Sequence, residues 1–198
     1  MAVSKTFPTS AIRDAYAAGL RVFGENKVQE LVLKAGQVLD LGLSWHLVGP
    51  LQTNKVNLVL PHMQLLHSLD RTSLVSAIDQ RATGSVSALI QVNVTGEPTK
   101  SGVSPAILPP LVDAVLGSTH VSVVGLMTIG PLGGDSGAVR GAFRRLSQLR
   151  DDLRRRYPGL LLPVLSMGMS NDFEIAVAEG ATHLRIGSRV FGSRSYPG

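Results

Sequence analysis

Cysteine is absent from the 198 residues, so no disulfide framework, thiolate zinc site or cysteine nucleophile can be built, and nothing asks for an oxidising compartment. No apolar run approaches the length of a membrane span. The opening Met-Ala-Val-Ser-Lys-Thr-Phe-Pro also lacks a basic segment leading into a long apolar one. A cytoplasmic protein without membrane contact is the expectation. Aromatic residues are scarce, at 5% of the chain, which leaves little to stack on nucleic-acid bases. Acidic residues number 14 against 19 basic ones, giving a net charge of +5.

The basic excess is concentrated in one place. Between Arg140 and Arg156, seven arginines stand against Asp151 and Asp152, which accounts for the entire net charge. Phe143, Leu146, Leu149 and Leu153 recur there at helical spacing, so the arginines are expected on the solvated face of one amphipathic helix. A nucleic-acid or partner-binding module built on that helix is the competing reading, and without interleaved aromatics it is the weaker one. Hydrophobic residues make up 44% of the chain, enough to bury a single core and form one domain over residues 1–198.

Short apolar runs alternate with helical stretches. Strands are expected at Ala2 to Lys5, Val22 to Glu25, Trp45 to Gly49, Leu65 to Leu69, Ser87 to Val94, Val123 to Ile129, Val164 to Met167, and His183 to Ile186. Helices are expected between them at Ser10 to Ala18, Lys27 to Leu39, Thr53 to Leu60, Thr72 to Ala82, Pro105 to Leu116, Ala138 to Arg156, and Asp172 to Glu179. Gly19 and Gly180 serve as stop signals. This order predicts an α/β protein, a closed (β/α)8 TIM barrel, with a doubly wound open sheet as runner-up. The loops Gly96 to Gly102 and Gly130 to Asp135 both follow strands and so are expected at the C-terminal mouth.

If the barrel closes, polar residues at the C-terminal strand ends matter most. They are Lys5, Glu25, Asn26, His46, Ser68, Asp70, Asn93, Thr128, Ser166, Ser170, Arg185 and Ser188. A lysine at such a position loses solvation, which lowers its pKa from the ordinary value near ~10.4 and frees the amine to attack an aldehyde. Residue spacing alone equally allows a lysine that snorkels to solvent. The loops after strands seven and eight suit a phosphate. Ser166-Met167-Gly168-Met169-Ser170-Asn171 offers a glycine and a hydroxyl before a helix, and Arg185-Ile186-Gly187-Ser188 offers another of each with a cation. Plain capping by Ser170 and Asn171, with Glu174 completing a box, would explain part of the same pattern. His62 and His67 are too isolated for a metal site.

The segments Ala2-Val3-Ser4-Lys5-Thr6, Phe23-Gly24-Glu25-Asn26, Trp45-His46-Leu47-Val48-Gly49, Leu165-Ser166-Met167-Gly168-Met169-Ser170-Asn171-Asp172, and Glu179 to Gly187 stand in unbroken order. Together they resemble the pyridoxal 5'-phosphate (PLP) homeostasis protein family, whose fold is similar to the N-terminal barrel of alanine racemase. The resemblance implies that Lys5 is the Schiff-base lysine and that Ser170, Gly187 and Ser188 bind the phosphate. It further implies that Arg185 faces the pyridine nitrogen, with Asn26 and His46 near the ring and Ser166 and Met169 in the same site. It also implies a cytoplasmic, monomeric carrier or regulator of PLP rather than an enzyme, with PLP-dependent apo-enzymes as recipients. A slow amino-acid racemase is the alternative. Members usually carry a helical segment before the lysine strand, and this chain starts almost at that strand; Lys27 also stands where an aromatic is common. The enzyme reading wants an opposing acid/base group, and Tyr16, Tyr157 and Tyr196 all fall away from strand ends.

Overall fold

The computed structural model describes residues 1–131 and 133–192. Eight strands run β1 (Ala2–Val3), β2 (Val22–Glu25), β3 (Ser44–Leu47), β4 (Leu65–Leu69), β5 (Val86–Gln91), β6 (Val121–Met127), β7 (Val164–Met169) and β8 (His183–Arg185). All pairings are parallel and sequential, from β1 through β8. The ring closes where Ala2 bridges Ile186: Val3 N donates to Ile186 O at 2.8 Å and Ile186 N donates to Met1 O at 3.1 Å. A parallel strand covered on both faces is buried along its length, and β4 is buried at every residue, its two polar members His67 and Ser68 both hydrogen-bonded. The expected barrel is therefore present.

The helices are α1 (Thr9–Ala17), α2 (Val28–Gln37), α3 (Val56–Val59), α4 (Thr72–Asp79), α5 (Leu108–Leu116), α6 (Ser136–Arg156), α7 (Phe173–Ala178) and α8 (Ser188–Phe191). Gly19 and Gly180 take positive φ just past α1 and α7, the left-handed stop that a side chain would resist. The helix expected over Thr53 to Leu60 is divided into a 3-10 turn at Thr53–Lys55 and a single α-turn. Sequence periodicity gave no sign of α8 or of the 3-10 turn at Leu39–Leu41.

Helix α6 shows the rule for the surface. The Asp135 carboxylate accepts Ala138 N at 2.8 Å to start it, and Val139, Ala142, Phe143, Leu146 and Leu153 are buried. Burying Phe143 and Leu146 contributes on the order of 2 kcal/mol each. The arginines of this helix are answered locally. Arg140 and Arg144 bond Glu179, Arg150 and Arg154 pair with Asp151, and Arg155 pairs with Asp152. Arg154 also donates to the carbonyls of Leu161 and Leu162.

Only β2 and β4 keep both expected bounds; each of the other strands shifts at one or both ends by one to three residues, and two of those shifts shape the mouth. β1 ends at Val3 rather than Lys5, because Phe7 N donates to Ser4 O and Thr6 turns at φ 71°. β5 ends at Gln91 rather than Val94, because Asn93 folds the next loop onto itself. Its amide donates to Glu97 O and accepts from Gly96 N.

Candidate functional site

The C-terminal mouth holds a cavity of about 320 Å³, at the small end of ligand sites. Lys5, Asn26, Met169, Ser170, Arg185, Gly187 and Ser188 line it, with Val3, Val48 and Ile129 as apolar wall and Asn171 and Asp172 at one rim. A larger cavity of about 840 Å³ lies at the opposite end, between the α3–β4 and α4–β5 connections. Its one arginine, Arg81, is engaged with Ala77 O, and barrel sites form at the other face. The smaller cavity is where charged and polar groups from several strand ends converge.

At one side the turn after β1 carries Lys5, which is half-buried. The turn is tied down on both flanks of that residue. Ser4 Oγ donates to Glu25 Oε1 at 2.7 Å, Lys34 Nζ donates to Ser4 O at 2.7 Å, and Thr6 N donates to Glu30 Oε1 at 2.6 Å. Lys34 Nζ also donates to Glu25 Oε1 at 2.8 Å and Glu30 Oε1 at 2.7 Å, so all three of its donors are engaged. Glu25 is fully buried, and burial raises its pKa above the usual carboxylate value against the pull of Lys34 and Ser4. Its Oε2 is buried without a hydrogen-bond partner among the described residues. Holding a threonine at positive φ costs on the order of 1 kcal/mol, which these bonds offset.

Opposite, Arg185 reaches in from the end of β8 and is 4% exposed. Nη1 donates to Ser166 Oγ at 2.8 Å and Nη2 to Thr128 O at 2.7 Å, and neither acceptor is anionic. Desolvation lowers the guanidinium to about 10, with Asp172 acting the other way, so the group is still charged at neutral pH. Behind it a polar column runs into the barrel interior: Ser166 Oγ meets His67 Nδ1 at 3.0 Å, and His67 Nε2 meets His46 Nδ1 at 3.0 Å. Arginine can only donate, so the Ser166 hydroxyl is free to donate to His67, which passes its own N–H to His46 and leaves the His46 proton on Nε2. Both rings are neutral. Burial, first, and neighbouring positive charge bring His46 down to about 4 and His67 well below its ordinary value.

The third corner is built by the loops after β7 and β8. Gly187 N donates to Ser170 Oγ at 3.3 Å, and Arg189 Nε donates to Ser170 O at 2.9 Å. The long Gly187 contact leaves the amide weakly held, and Ser188 adds a second hydroxyl on the same rim. Asp172 is turned away from this corner at one oxygen, where Oδ1 accepts Met169 N at 2.5 Å.

A family model described as "Alanine racemase, N-terminal domain" matches residues 1–195. The pyridoxal phosphate homeostasis protein of Aquifex aeolicus is 48% identical over 199 residues, covering 99% of this chain and 87% of that protein. The chain belongs to the pyridoxal phosphate homeostasis protein family. The family member of the same name from Pseudomonas aeruginosa is 45% identical over 99% of this chain and 84% of its own length. Among solved structures, PipY of Synechococcus elongatus with PLP bound superposes with a TM-score of 0.91 at 39% identity, covering 97% of this chain and 91% of that one. Alanine racemase from Corynebacterium glutamicum superposes with a TM-score of 0.73 at 19% identity, which speaks for the barrel alone.

Against that family expectation, the structure gathers Lys5, Asn26, Met169, Ser170, Arg185, Gly187 and Ser188 around one cavity and leaves two residues out of its lining. His46 does not reach it: its ring points into the barrel and bonds His67. Ser166 likewise faces inward and serves Arg185 from behind. The capping box expected of Asn171 and Glu174 is not formed, since α7 begins at Phe173 with Asp172 at its N-cap and no side-chain cap bond. Gly168, expected to admit a phosphate, instead admits α7. A Cβ there would stand 2.4 Å from Ala176 Cβ, and φ is +89°. The strand-end residues Ser68, Asn93 and Thr128 hold loop carbonyls, bonding Gly49 O, Glu97 O and Val92 O. Of the tyrosines, Tyr16 and Tyr157 lie away from the cavity, and Tyr196 is outside the described residues. Lys34, His67 and Asp172 were missed. Lys34 had a signal, because it falls on the stripe formed by Val28, Leu31, Ala35 and Val38, where a lysine needs an acid.

Proposed function

We propose that the protein binds PLP in the Lys5–Arg185 cavity and holds it for intracellular PLP homeostasis, without rapid turnover. The observation that carries this reading is the placement of three chemically different groups around one small cavity. There is an amine at Lys5, hydroxyls and an amide at Ser170, Gly187 and Ser188, and a buried cation at Arg185 between apolar walls of Val48 and Ile129. An aldehyde, a phosphate and a flat ring nitrogen each find a fitting partner in that set. The PLP-bound state of PipY and the name shared by the bacterial relatives support it.

In this reading Lys5 is the covalent anchor, Ser170, Gly187 and Ser188 receive the phosphate, and Asn26 and Met169 flank the ring. When bound, PLP supplies an electron-accepting ring whose strength depends on the partner at its nitrogen. Arg185 offers that position a charged donor that keeps its own proton at neutral pH, which limits carbanion chemistry. His46 and Ser166 act at a distance, by holding Arg185 in place. Among the described residues no tyrosine lines the cavity, so the opposing acid/base group of a two-base racemase is not supplied by that lining. The protein would act as a cytoplasmic monomer that hands PLP to apo-enzymes.

The test is titration with PLP followed by its visible absorbance, in parent and Lys5→Ala. Uptake by the parent and loss of the bound band in the variant support the reading, and a parent that takes up no PLP overturns it. Incubation of the loaded protein with L-alanine decides the enzymatic question. Turnover in the range of about 1 to 10³ s⁻¹ would replace homeostasis with catalysis.

A further inference from the structure

We infer that Glu25, Lys34 and Glu30 form a positioning clamp for Lys5, fixing the residues on either side of it so that its amine is presented to the cavity. This rests on the reading of Lys5 as the anchor, and it assigns roles to three residues outside the cavity lining.

Three bonds land on the flanks of Lys5. The carbonyl and hydroxyl of Ser4 go to Lys34 Nζ and Glu25 Oε1, and the amide of Thr6 goes to Glu30 Oε1. The acids and the base come from two different elements, β2 and α2, so the turn after β1 is referenced to both the barrel wall and its outer layer. Backbone geometry shows the turn to be held. Thr6 sits at φ 71°, a conformation a threonine adopts only where its surroundings impose it. Ser4 and Glu25 are fully buried and Lys34 is 6% exposed, which keeps water from competing for the two Ser4 bonds, while the bond from Thr6 N to Glu30 lies at the exposed edge of the turn.

The cluster also separates two lysines that lie close in the fold. Lys34 has no donor left, since Ser4 O, Glu25 Oε1 and Glu30 Oε1 take all three. It is the wrong amine for an aldehyde. Its position on the apolar stripe of α2 makes it a structural cation whose purpose is to join two acids to the Lys5 turn.

Positioning of this kind acts on rate, because an amine displaced by an ångström can lose roughly a hundredfold in reactivity. The experiment compares the parent with Lys34→Met and with the double variant Glu25→Gln/Lys34→Met, which removes the buried acid together with its partner so that no lone charge is left inside. Two measurements are made on each folded protein. One is the rate at which PLP becomes reducible by borohydride onto the Lys5 peptide, set against equilibrium binding of pyridoxine 5'-phosphate, which has the ring and phosphate but no aldehyde. The other is amide hydrogen exchange at Thr6, measured without any ligand.

The clamp predicts capture at Lys5 about ten- to a hundredfold slower in the double variant, pyridoxine 5'-phosphate binding within about twofold of the parent, and faster Thr6 exchange. Capture at the parental rate, with Thr6 exchange unchanged, overturns it. An equal loss of aldehyde capture and pyridoxine 5'-phosphate binding also overturns it, because the cluster would then be general structure. A parent that captures no PLP refutes the anchor reading instead, and Thr6 exchange still decides whether the clamp orders the turn.

Discussion

Two buried polar networks border the same cavity, and they handle charge in opposite ways. Under Lys5, Glu25, Lys34 and Glu30 are ion-paired at 2.7 to 2.8 Å, and every donor of the cation is engaged. At Arg185 there is one cation, among the described residues no hydrogen-bonded anion, and a column of neutral partners running through Ser166 and His67 to His46. A paired charge is locked and unavailable. A charge supported by neutral groups keeps its field for whatever enters the cavity. The comparison explains why one network can be scaffold and the other can face a ligand, although both lie within the barrel and its first layer.

The largest expected effect comes from breaking the paired network asymmetrically. Lys34→Ala leaves Glu25 buried without its counter-charge and should cost about 3–5 kcal/mol in urea unfolding, whereas Glu25→Gln/Lys34→Met should recover most of that. Equal losses in the two variants would show that packing, and not charge, is what the pair supplies. A smaller effect is expected at the neutral column: His67→Leu leaves Ser166 Oγ and His46 Nδ1 short of a partner and should cost about 1–3 kcal/mol.

Acid should separate the networks by sign. His46 and His67 have folded pKa values lowered from 6.5, His46 to about 4, so below pH 6.5 the unfolded chain binds protons that the folded one refuses. Their contribution is complete above the unfolded value and is lost as pH falls from about 6.5 toward 4. Glu25 runs the other way. Its folded pKa is raised by burial, so the folded state takes up a proton first and gains stability as pH falls through that raised value. Urea midpoints measured across this window should therefore fall less steeply in His67→Leu than in the parent and more steeply in Glu25→Gln. The smallest effect is expected on α6, where Arg155→Ala removes an exposed pair with Asp152 and should leave the midpoint within error.

Much of this was legible in the sequence, and the gaps have physical reasons. Eight apolar runs with glycine-stopped helices are enough for a parallel barrel, and β2 and β4 stand at the residues expected, Val22–Glu25 and Leu65–Leu69. The end of β1 was read two residues too long because a turn held by distant side chains, Glu30 to Thr6 N among them, leaves no local mark. The resemblance implies His46 near the ring, whereas the structure bonds it to His67 behind the cavity; its strand-end position in the sequence does not give the depth along the barrel axis that decides between cavity wall and buried column. Gly168 was read as a phosphate cradle when its missing side chain makes room for Ala176. Short helix α8 has only four residues, too few for any periodicity.

The most direct test of the account is chemical labelling of the lysines. PLP is added to the folded protein at neutral pH, reduced with borohydride, and the modified lysine is mapped in tryptic peptides. The account predicts stoichiometric label on Lys5 and none on Lys34, whose three donors are all engaged. Label on Lys34 at a level comparable to Lys5, or no label on Lys5 at all, would contradict it.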